Sequence, residues 1–261
     1  MEILSLRMSK LSYLAAAAVA LLCASCATPQ KIYTDFYANQ QYKSVSVNAD
    51  ASALQDGKGR VENLLSDQSH KLMNQVHNSA KLQLREKGYA PQSGYQSIGL
   101  TLPDTTQVFV SNNPSQYEGD LLSTPYYVKK NGATPTKVRQ LTADRLFSRV
   151  FSHDTKSKKL KDVDYPEIKN LGLPQNQYIL LIHGFSRNVN TGKQLGQAAI
   201  VAVATMGTFV MWEPDISFVQ VAIIDPQTSK VVWANDGKIG KSVEQDVAKI
   251  FQPLPVFGTK E

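Results

Sequence analysis

Cysteine is almost absent from this sequence. The chain of 261 residues contains two cysteines, Cys23 and Cys26, and both lie close to its amino terminus. The body of the protein can therefore hold neither a disulfide framework nor a metal site built on thiolates. Because 42% of the residues are hydrophobic, a domain of this length can be stable through its core alone.

Charge of either sign is also sparse. Charged residues make up 19% of the chain, and the formal net charge is +6. The basic residues are scattered, except for a run of lysines between residues 156 and 161, which is typical of a solvated loop. We therefore expect no binding to nucleic acid.

The amino-terminal apolar stretch is too short to cross a membrane. Residues 11–22 would rise about 18 Å as a helix, well short of the roughly 30 Å hydrocarbon layer of a bilayer. Arg7 and Lys10 precede this stretch, and small residues follow it. The order is typical of a secretory signal peptide, which we predict over residues 1–25.

The end of this leader contains a recognisable motif. Residues 22–26, Leu-Cys-Ala-Ser-Cys, resemble the lipobox of bacterial lipoproteins, although Cys23 stands where leucine is usual. The resemblance implies that diacylglycerol is attached to the Cys26 thiol and that cleavage makes Cys26 the first mature residue. Ala27, in the place where an aspartate signals inner-membrane retention in enterobacteria, implies the periplasmic face of the outer membrane. The alternative is an ordinary secretory signal cut after Ala27, which would release a free protein.

Hydrophobic patterns divide the mature chain into a tether over residues 26–42 and one domain over residues 43–261. In the first half we predict a strand over 43–48, a loop over 49–59 and a long amphipathic helix over 60–87 that ends before Gly88. Residues 94–102 and 106–110 are candidate strands, and residues 141–151 and 166–171 are candidate helices.

The carboxy-terminal third has the clearest patterns. Residues 178–185 form an apolar run that suits a strand buried on both faces, and residues 217–224 and 230–233 suit a β-hairpin. A last helix over 241–251 has Ser242 and Gln245 as a capping box. We predict an α+β or α/β fold: a single sheet with a carboxy-terminal hairpin, on which the long helix and the last helix pack.

Two segments resemble a known group of periplasmic lipoproteins. The helix end Leu-Arg-Glu-Lys-Gly-Tyr, residues 84–89, is similar to theirs, and so is the hairpin of residues 221–225 and 228–233 with its Val-Val-Trp. The group includes curli-secretion lipoproteins, penicillin-binding-protein activators and the amino-terminal domain of the Tol-system protein. The resemblance implies a protein that is not an enzyme and that assembles with partners in the cell envelope.

One segment resembles part of a hydrolase active site. His183 and Gly184 end an apolar run, as in lipases whose His-Gly helps to build an oxyanion hole. However, the chain has no Gly-x-Ser-x-Gly nucleophile elbow, and His183 is its last histidine, so the usual order of the triad cannot be assembled. We predict no catalytic residue, and a hydrolase that uses His183 remains the alternative.

Two further patterns suggest ligand sites only superficially. Residues 237–242 look like a phosphate-binding loop, but Asn235 stands where the first glycine is required, so we predict a loop that caps the last helix. His70 and His77 share one face of the long helix but lie about 10 Å apart, too far to bind one metal ion. We therefore expect neither a metal site nor a cofactor.

The most unusual stretch is the uncharged segment at residues 194–212. It suits a buried core element, an exposed apolar face for a partner or for self-association, or insertion into a bilayer. Taken together, the patterns predict a lipid-anchored periplasmic accessory protein that binds envelope proteins. The alternatives are a hydrolase and an oligomeric subunit of a secretion pore.

Overall fold

The computed structural model describes residues 32–56, 62–100, 107–109, 126–128, 137–152, 158–188 and 215–259. These residues form one mixed sheet with helices on it, which confirms the predicted α+β fold. In chain order the elements are α1 (Thr34–Ala38), β1 (Ser44–Asp56), β2 (Glu62–Leu65), α2 (Ser66–Glu86), β3 (Ala90–Ile98), β4 (Gln107–Phe109), β5 (Tyr126–Val128), α3 (Lys137–Phe151), α4 (Lys158–Asp162), a 3₁₀ helix (Pro166–Leu171), β6 (Tyr178–Asn188), β7 (Asp215–Asp225), β8 (Lys230–Lys238) and α5 (Val243–Phe251).

Strand β1 lies in the middle of the sheet. It pairs in parallel with β6 along its length, from Val45 opposite Tyr178 to Gln55 opposite Asn188. On its other side it pairs in parallel with β3 and, near its end, antiparallel with β2. β7 and β8 continue the sheet beyond β6 as antiparallel strands, and the short β4 and β5 pair with β2 and β3.

The prediction for the region around β1 was wrong in its boundaries. The predicted loop over 49–59 is strand as far as Asp56, and the chain then returns as β2, so α2 begins at Ser66 rather than at residue 60. The alternation continues past Asn48, but with alanine, which favours strands weakly in isolation. Pairing with β3 and β6 stabilises the strand here.

Helix α2 covers one face of the sheet. Its buried stripe confirms the predicted amphipathic pattern and comprises Leu72, Met73, Val76, Ala80 and Leu84. The helix ends in a Schellman motif: the N–H of Tyr89 donates to Leu84 O at 2.9 Å, and that of Gly88 donates to Arg85 O at 2.9 Å. Gly88 has a φ of +81°, a left-handed conformation that explains the glycine.

A second layer lies on the opposite face and contains α3 and the 3₁₀ helix, at the two positions where helices were predicted. The buried side of α3 comprises Ala143, Leu146, Phe147 and Val150. Arg149 joins α3 to the 3₁₀ helix by an ion pair with Glu167 at 2.5 Å, and its guanidinium lies over the ring of Tyr165. Among the described residues, no helix is both long enough and apolar enough to span a membrane.

The carboxy-terminal elements follow the prediction closely. The hairpin is present as β7 and β8, and residues 178–184 of β6 are buried, as expected for a strand covered on both faces. Helix α5 packs against α2 and β8. Its N-cap is Ser242, whose Oγ accepts a hydrogen bond from the backbone N–H of Gln245 at 3.4 Å.

The predicted tether over residues 26–42 is folded from Ile32 onward. Residues 32–42, called the arm below, include the short helix α1. Its buried side chains are Ile32, Tyr33, Phe36 and Tyr37, all within the hydrophobic core. The domain therefore begins about ten residues earlier than the sequence suggested, because aromatic residues in a polar segment contribute burial that periodicity does not reveal.

Candidate functional site

The two faces of β1 have different chemistry, and both are buried. One face carries Val45, Val47, Ala49 and Ala51, each with no exposed surface, while the other carries Ser46, Asn48, Asp50 and Ser52. All four of these polar residues are at most 1% exposed. Burial of polar groups costs free energy unless they are hydrogen-bonded within the protein. This polar row is therefore the candidate site.

The centre of the polar row is a histidine–aspartate pair. Asp50 lies opposite His183 in the parallel register of β1 and β6, and His183 Nδ1 is 2.9 Å from Asp50 Oδ2. The other carboxylate oxygen, Oδ1, accepts hydrogen bonds from Ser97 Oγ at 2.8 Å and from the backbone N–H of Leu100 at 3.2 Å. Groups from β6 and from the end of β3 therefore converge on one carboxylate of β1.

Burial and hydrogen bonding act in opposite directions on Asp50. Burial raises the pKa of its carboxyl group, because the charged form is poorly solvated there. The hydrogen bonds from His183, Ser97 and Leu100 favour the charged form and lower the pKa. The net direction is upward, because burial outweighs these hydrogen bonds.

The pair has the orientation of the histidine–carboxylate part of a catalytic triad. A carboxylate at Nδ1 fixes the imidazole ring and leaves Nε2 as the atom that could accept a proton. Access argues against this use. His183 is 4% exposed, and Phe151 of α3 stacks on its ring with centroids 5.8 Å apart. Phe151 therefore covers one face of the imidazole ring.

Gly184 serves packing. A Cβ atom built on Gly184 would lie 3.2 Å from Leu72 Cγ and 3.3 Å from Val76 Cγ1, so the glycine lets α2 approach β6 closely. The side chains of residues 183 and 184 point to opposite faces of the sheet. The side chain of His183 therefore lies under α3, and the backbone of Gly184, which has no side chain, lies under α2.

Asn48 stabilises an irregularity in the sheet beside the Asp50–His183 pair. The register of β1 and β3 shifts between Val47 and Ala49, and Asn48 Oδ1 accepts a hydrogen bond from the backbone N–H of Tyr95 at 2.8 Å. Its Nδ2 donates to Leu180 O on β6 at 3.2 Å. The side chain therefore supplies the bonds that the interrupted ladder lacks.

The loop that resembles a phosphate-binding loop has the predicted capping role. Gly237 and Lys238 belong to β8, and Ser242 caps α5. The backbone N–H of Gly240 donates to Asp246 Oδ2 at 2.7 Å, which places a carboxylate where a phosphate would have to lie. The donor is therefore already occupied by a negative group from the same chain.

The remaining candidates give no metal centre in the described part of the chain. His77 is buried, and both of its ring nitrogens lie near Gln96 Nε2, at 3.2 and 3.4 Å. His70 contacts Asn74 one turn along α2. No group of three or more His, Cys, Asp or Glu residues in these segments could hold a metal ion. Cys26 and residues 194–212 lie outside the described residues.

Sequence reasoning missed Asp50, because it placed this residue in a loop. The available signal was the alternation itself, which runs from Ser44 through Ser52 without interruption. Extending the strand by four residues would have put Asp50 on the same face as Ser46 and Asn48. Its pairing with His183 depends on the register of β1 and β6, which a single sequence does not contain.

No model of a known protein family matches the chain. A search of curated proteins likewise finds no significant match.

Proposed function

We propose that this protein is a lipid-anchored accessory protein of the bacterial outer membrane, which faces the periplasm and acts by binding other envelope proteins. The observation that carries the proposal is Cys26, which ends a signal-peptide-like leader and is followed by no further cysteine. Cleavage before Cys26 would leave one thiol in the mature chain, which is expected where that thiol has a dedicated chemical use. Several acyl chains on one residue hold a protein firmly to a bilayer.

The residues that carry the family resemblance support the proposal through the fold. Leu84 and Tyr89 are buried, and Gly88 has the positive φ that ends α2. Trp233 on β8 has no exposed surface and contacts Phe251 of α5, with ring centroids 6.0 Å apart. The segments that resemble this group therefore form buried parts of the described fold, and the members of that group assemble with partners.

The partner-binding segment that we propose is the uncharged stretch 194–212, through contact with another envelope protein or with a second copy of the chain. Asn188 and Asp215, which flank it, lie opposite each other in the register of β6 and β7. Single cysteines at Ala202 and Thr208 test the proposal. Disulfide cross-links between copies or to a partner support it, whereas monomers whose introduced thiols do not react with maleimide would refute it.

Purification from detergent-solubilised envelopes tests the whole proposal. We expect the wild-type protein to fractionate with the outer membrane and to bring down a stoichiometric envelope protein. The Cys26→Ala variant should remain unprocessed, lose outer-membrane fractionation and lose the partner. A variant that is equally processed and equally membrane-bound would exclude the lipid anchor. A lipidated wild-type protein that retains no partner after chemical cross-linking would exclude the accessory role.

A second candidate function rests on the Asp50–His183 pair. Its geometry at Nδ1 suits a general base, which a hydrolase would require. The test is hydrolysis of a chromogenic ester by the wild type, by His183→Gln and by the matched control His70→Gln. Under the accessory proposal none of the three exceeds the buffer rate. Activity that is kept in His70→Gln and lost in a folded His183→Gln would establish the hydrolase instead.

A further inference from the structure

The arm, residues 32–42, is held against the domain by residues from the carboxy-terminal part of the chain. Tyr37 OH donates to Pro253 O, and Trp233 Nε1 lies 3.4 Å from the same hydroxyl. The backbone N–H of Gly258 donates to Gln40 Oε1 at 3.0 Å. The carboxy-terminal segment after α5 therefore closes over the arm.

Tyr178, the first residue of β6, holds the arm from the other side. Its hydroxyl accepts a hydrogen bond from the backbone N–H of Gln41 at 2.8 Å. Its ring packs edge-on against Phe36 and Tyr42, with centroid distances of 5.4 and 5.0 Å. The chain thus enters the fold at a fixed point, beside the first residues of β1 and β6.

This fixed point lies at one end of the sheet, called the anchor end below. The parallel strands β1, β3 and β6 begin there, and the antiparallel strand β7 ends there at the turn before β8. An eleven-residue strand such as β6 spans roughly 35 Å. The distal end of the sheet, where β6 ends and β7 begins, is separated from the anchor end by about that length.

The link between the lipid and the anchor end is short. Five residues lie between Cys26 and Ile32, and even a fully extended chain spans only about 20 Å between the two. Lipid on Cys26 would therefore keep the anchor end within about that distance of the bilayer surface, while the distal end could lie much farther away.

We infer that the anchor end faces the lipid headgroups of the membrane that holds the protein, and that the distal end points into the periplasm. The inference rests on the proposed lipid anchor. Many side chains exposed at the anchor end are uncharged amides or hydroxyls: Asn39, Gln41, Asn176, Gln227, Thr228 and Thr259. Such groups can hydrogen-bond to headgroups and their water. The same end also exposes Asp35, which pairs with Lys161 at 2.9 Å, and the basic Lys43 and Lys230, whose charges suit the phosphates of anionic headgroups.

Fluorescence quenching by lipid tests this orientation. The lipidated full-length protein is reconstituted into vesicles of phosphatidylethanolamine and phosphatidylglycerol that contain a headgroup spin label. A fluorophore is attached to a single cysteine at Gln227→Cys, at the anchor end, or at Lys241→Cys, just after β8 at the distal end; both positions are exposed. We expect several-fold stronger quenching at position 227 than at position 241. Equal quenching at the two positions, or stronger quenching at 241, overturns the inference.

A longer link provides the matched control. A flexible Gly/Ser linker of about twenty residues inserted between Thr28 and Pro29 adds an average reach of about 25 Å. We expect it to reduce quenching at position 227 to the level at position 241, because the short link imposes the orientation. Undiminished quenching at 227 would show that the link is not the cause and would overturn the inference.

The two proposals fail in different ways. A chain that does not sediment with vesicles and carries no lipid mass refutes the lipid anchor. A chain that is lipidated and vesicle-bound, but equally quenched at both positions, refutes only the orientation.

Discussion

The two faces of β1 are equally buried but are stabilised by different physics. On the apolar face, valine and alanine side chains pack under α2, where burial of hydrocarbon contributes about 25 cal/mol per Å². On the polar face, Asn48 and Asp50 are surrounded by groups that satisfy their hydrogen-bonding atoms. The comparison shows that alternation in a sequence identifies two faces of a strand, but not which of them meets water.

Substitutions on the polar face are expected to cost more stability than substitutions on the apolar face. Removing a methyl group from the apolar face leaves a cavity, whereas removing one member of the polar row leaves several other groups without partners. Ser52 is the exception, since its buried Oγ has no hydrogen-bond partner among the described residues.

The largest effect is expected for Asp50→Ala. The substitution leaves His183, Ser97 Oγ and the backbone N–H of Leu100 without their acceptor, so we expect a loss of about 3–5 kcal/mol in the free energy of unfolding. Val47→Ala, on the apolar face of the same strand, should cost about 2 kcal/mol. Urea denaturation of both variants measures the difference.

Ser52→Ala is the control on the polar face, and it should change the free energy of unfolding by less than about 1 kcal/mol. If Asp50→Ala cost no more than Ser52→Ala, the convergent hydrogen bonds on the Asp50 carboxylate would have no energetic role, and the contrast between the two faces would be lost.

The next effect is expected for Gly94→Ala, beside the shifted register of β1 and β3. A Cβ atom there would lie 2.7 Å from the backbone oxygen of Val47 and would also collide with the Asn48 side chain. We expect a cost of about 2 kcal/mol, measured by thermal or urea unfolding. In the control Gly240→Ala, the added Cβ would lie 3.5 Å from Asp246 Oδ2, which is an ordinary van der Waals contact, and the change in the free energy of unfolding should be below about 0.5 kcal/mol.

A smaller effect, of opposite sign, is expected for Tyr165→Phe in the layer that covers the polar face. The Tyr165 hydroxyl is buried without a hydrogen-bond partner among the described residues, so its removal should stabilise the protein by about 1 kcal/mol at neutral pH. Burial raises the pKa of Tyr165 from 10.0 to about 12. The contribution of this group to the free energy of unfolding is therefore constant below about pH 10 and falls as the pH rises from 10 to 12.

Unfolding measured across this alkaline range checks the sign. The wild type should lose stability relative to Tyr165→Phe as the pH increases, because the unfolded tyrosine releases its proton first. Parallel curves for the two proteins would mean that the pKa of Tyr165 is the same in the folded and unfolded states.

The smallest effect is expected for Ser229→Gly in the turn between β7 and β8. Ser229 has a φ of +58°, and it is the sole described residue other than glycine with a positive φ. Glycine adopts this conformation without strain, but it also raises the conformational entropy of the unfolded chain. The net result that we expect is an increase of about 0.5 kcal/mol in the free energy of unfolding. Thr228→Gly, which removes a hydrogen bond to Asp225 Oδ2 without relieving strain, should instead be destabilising in the same denaturation assay.

The sequence predicted the elements that have strong local signals. Helix α2, the hairpin β7–β8 and the cap at Ser242 follow from periodicity and from the capping and turn residues themselves. The missed parts depend on contacts between distant segments. The arm is held by Tyr178 and by residues near position 253, and the second half of β1 is held by β3 and β6.

The candidate site shows the same limit. His183 was identified because it ends an apolar run, whereas its partner lies 133 positions away in the sequence. Asp50 could be placed on a face by extending the alternation, but no local feature indicates which strand lies beside β1. Such a pairing becomes visible only when the register of the sheet is known.

The central claim, the lipid on Cys26, is tested most directly by mass spectrometry of the mature amino terminus. The protein is purified from bacterial membranes, and its amino-terminal peptide is analysed intact. We predict a chain that begins at Cys26 and carries the added mass of a diacylglycerol group. An unmodified chain that begins at Ala27 or Thr28 would contradict the claim.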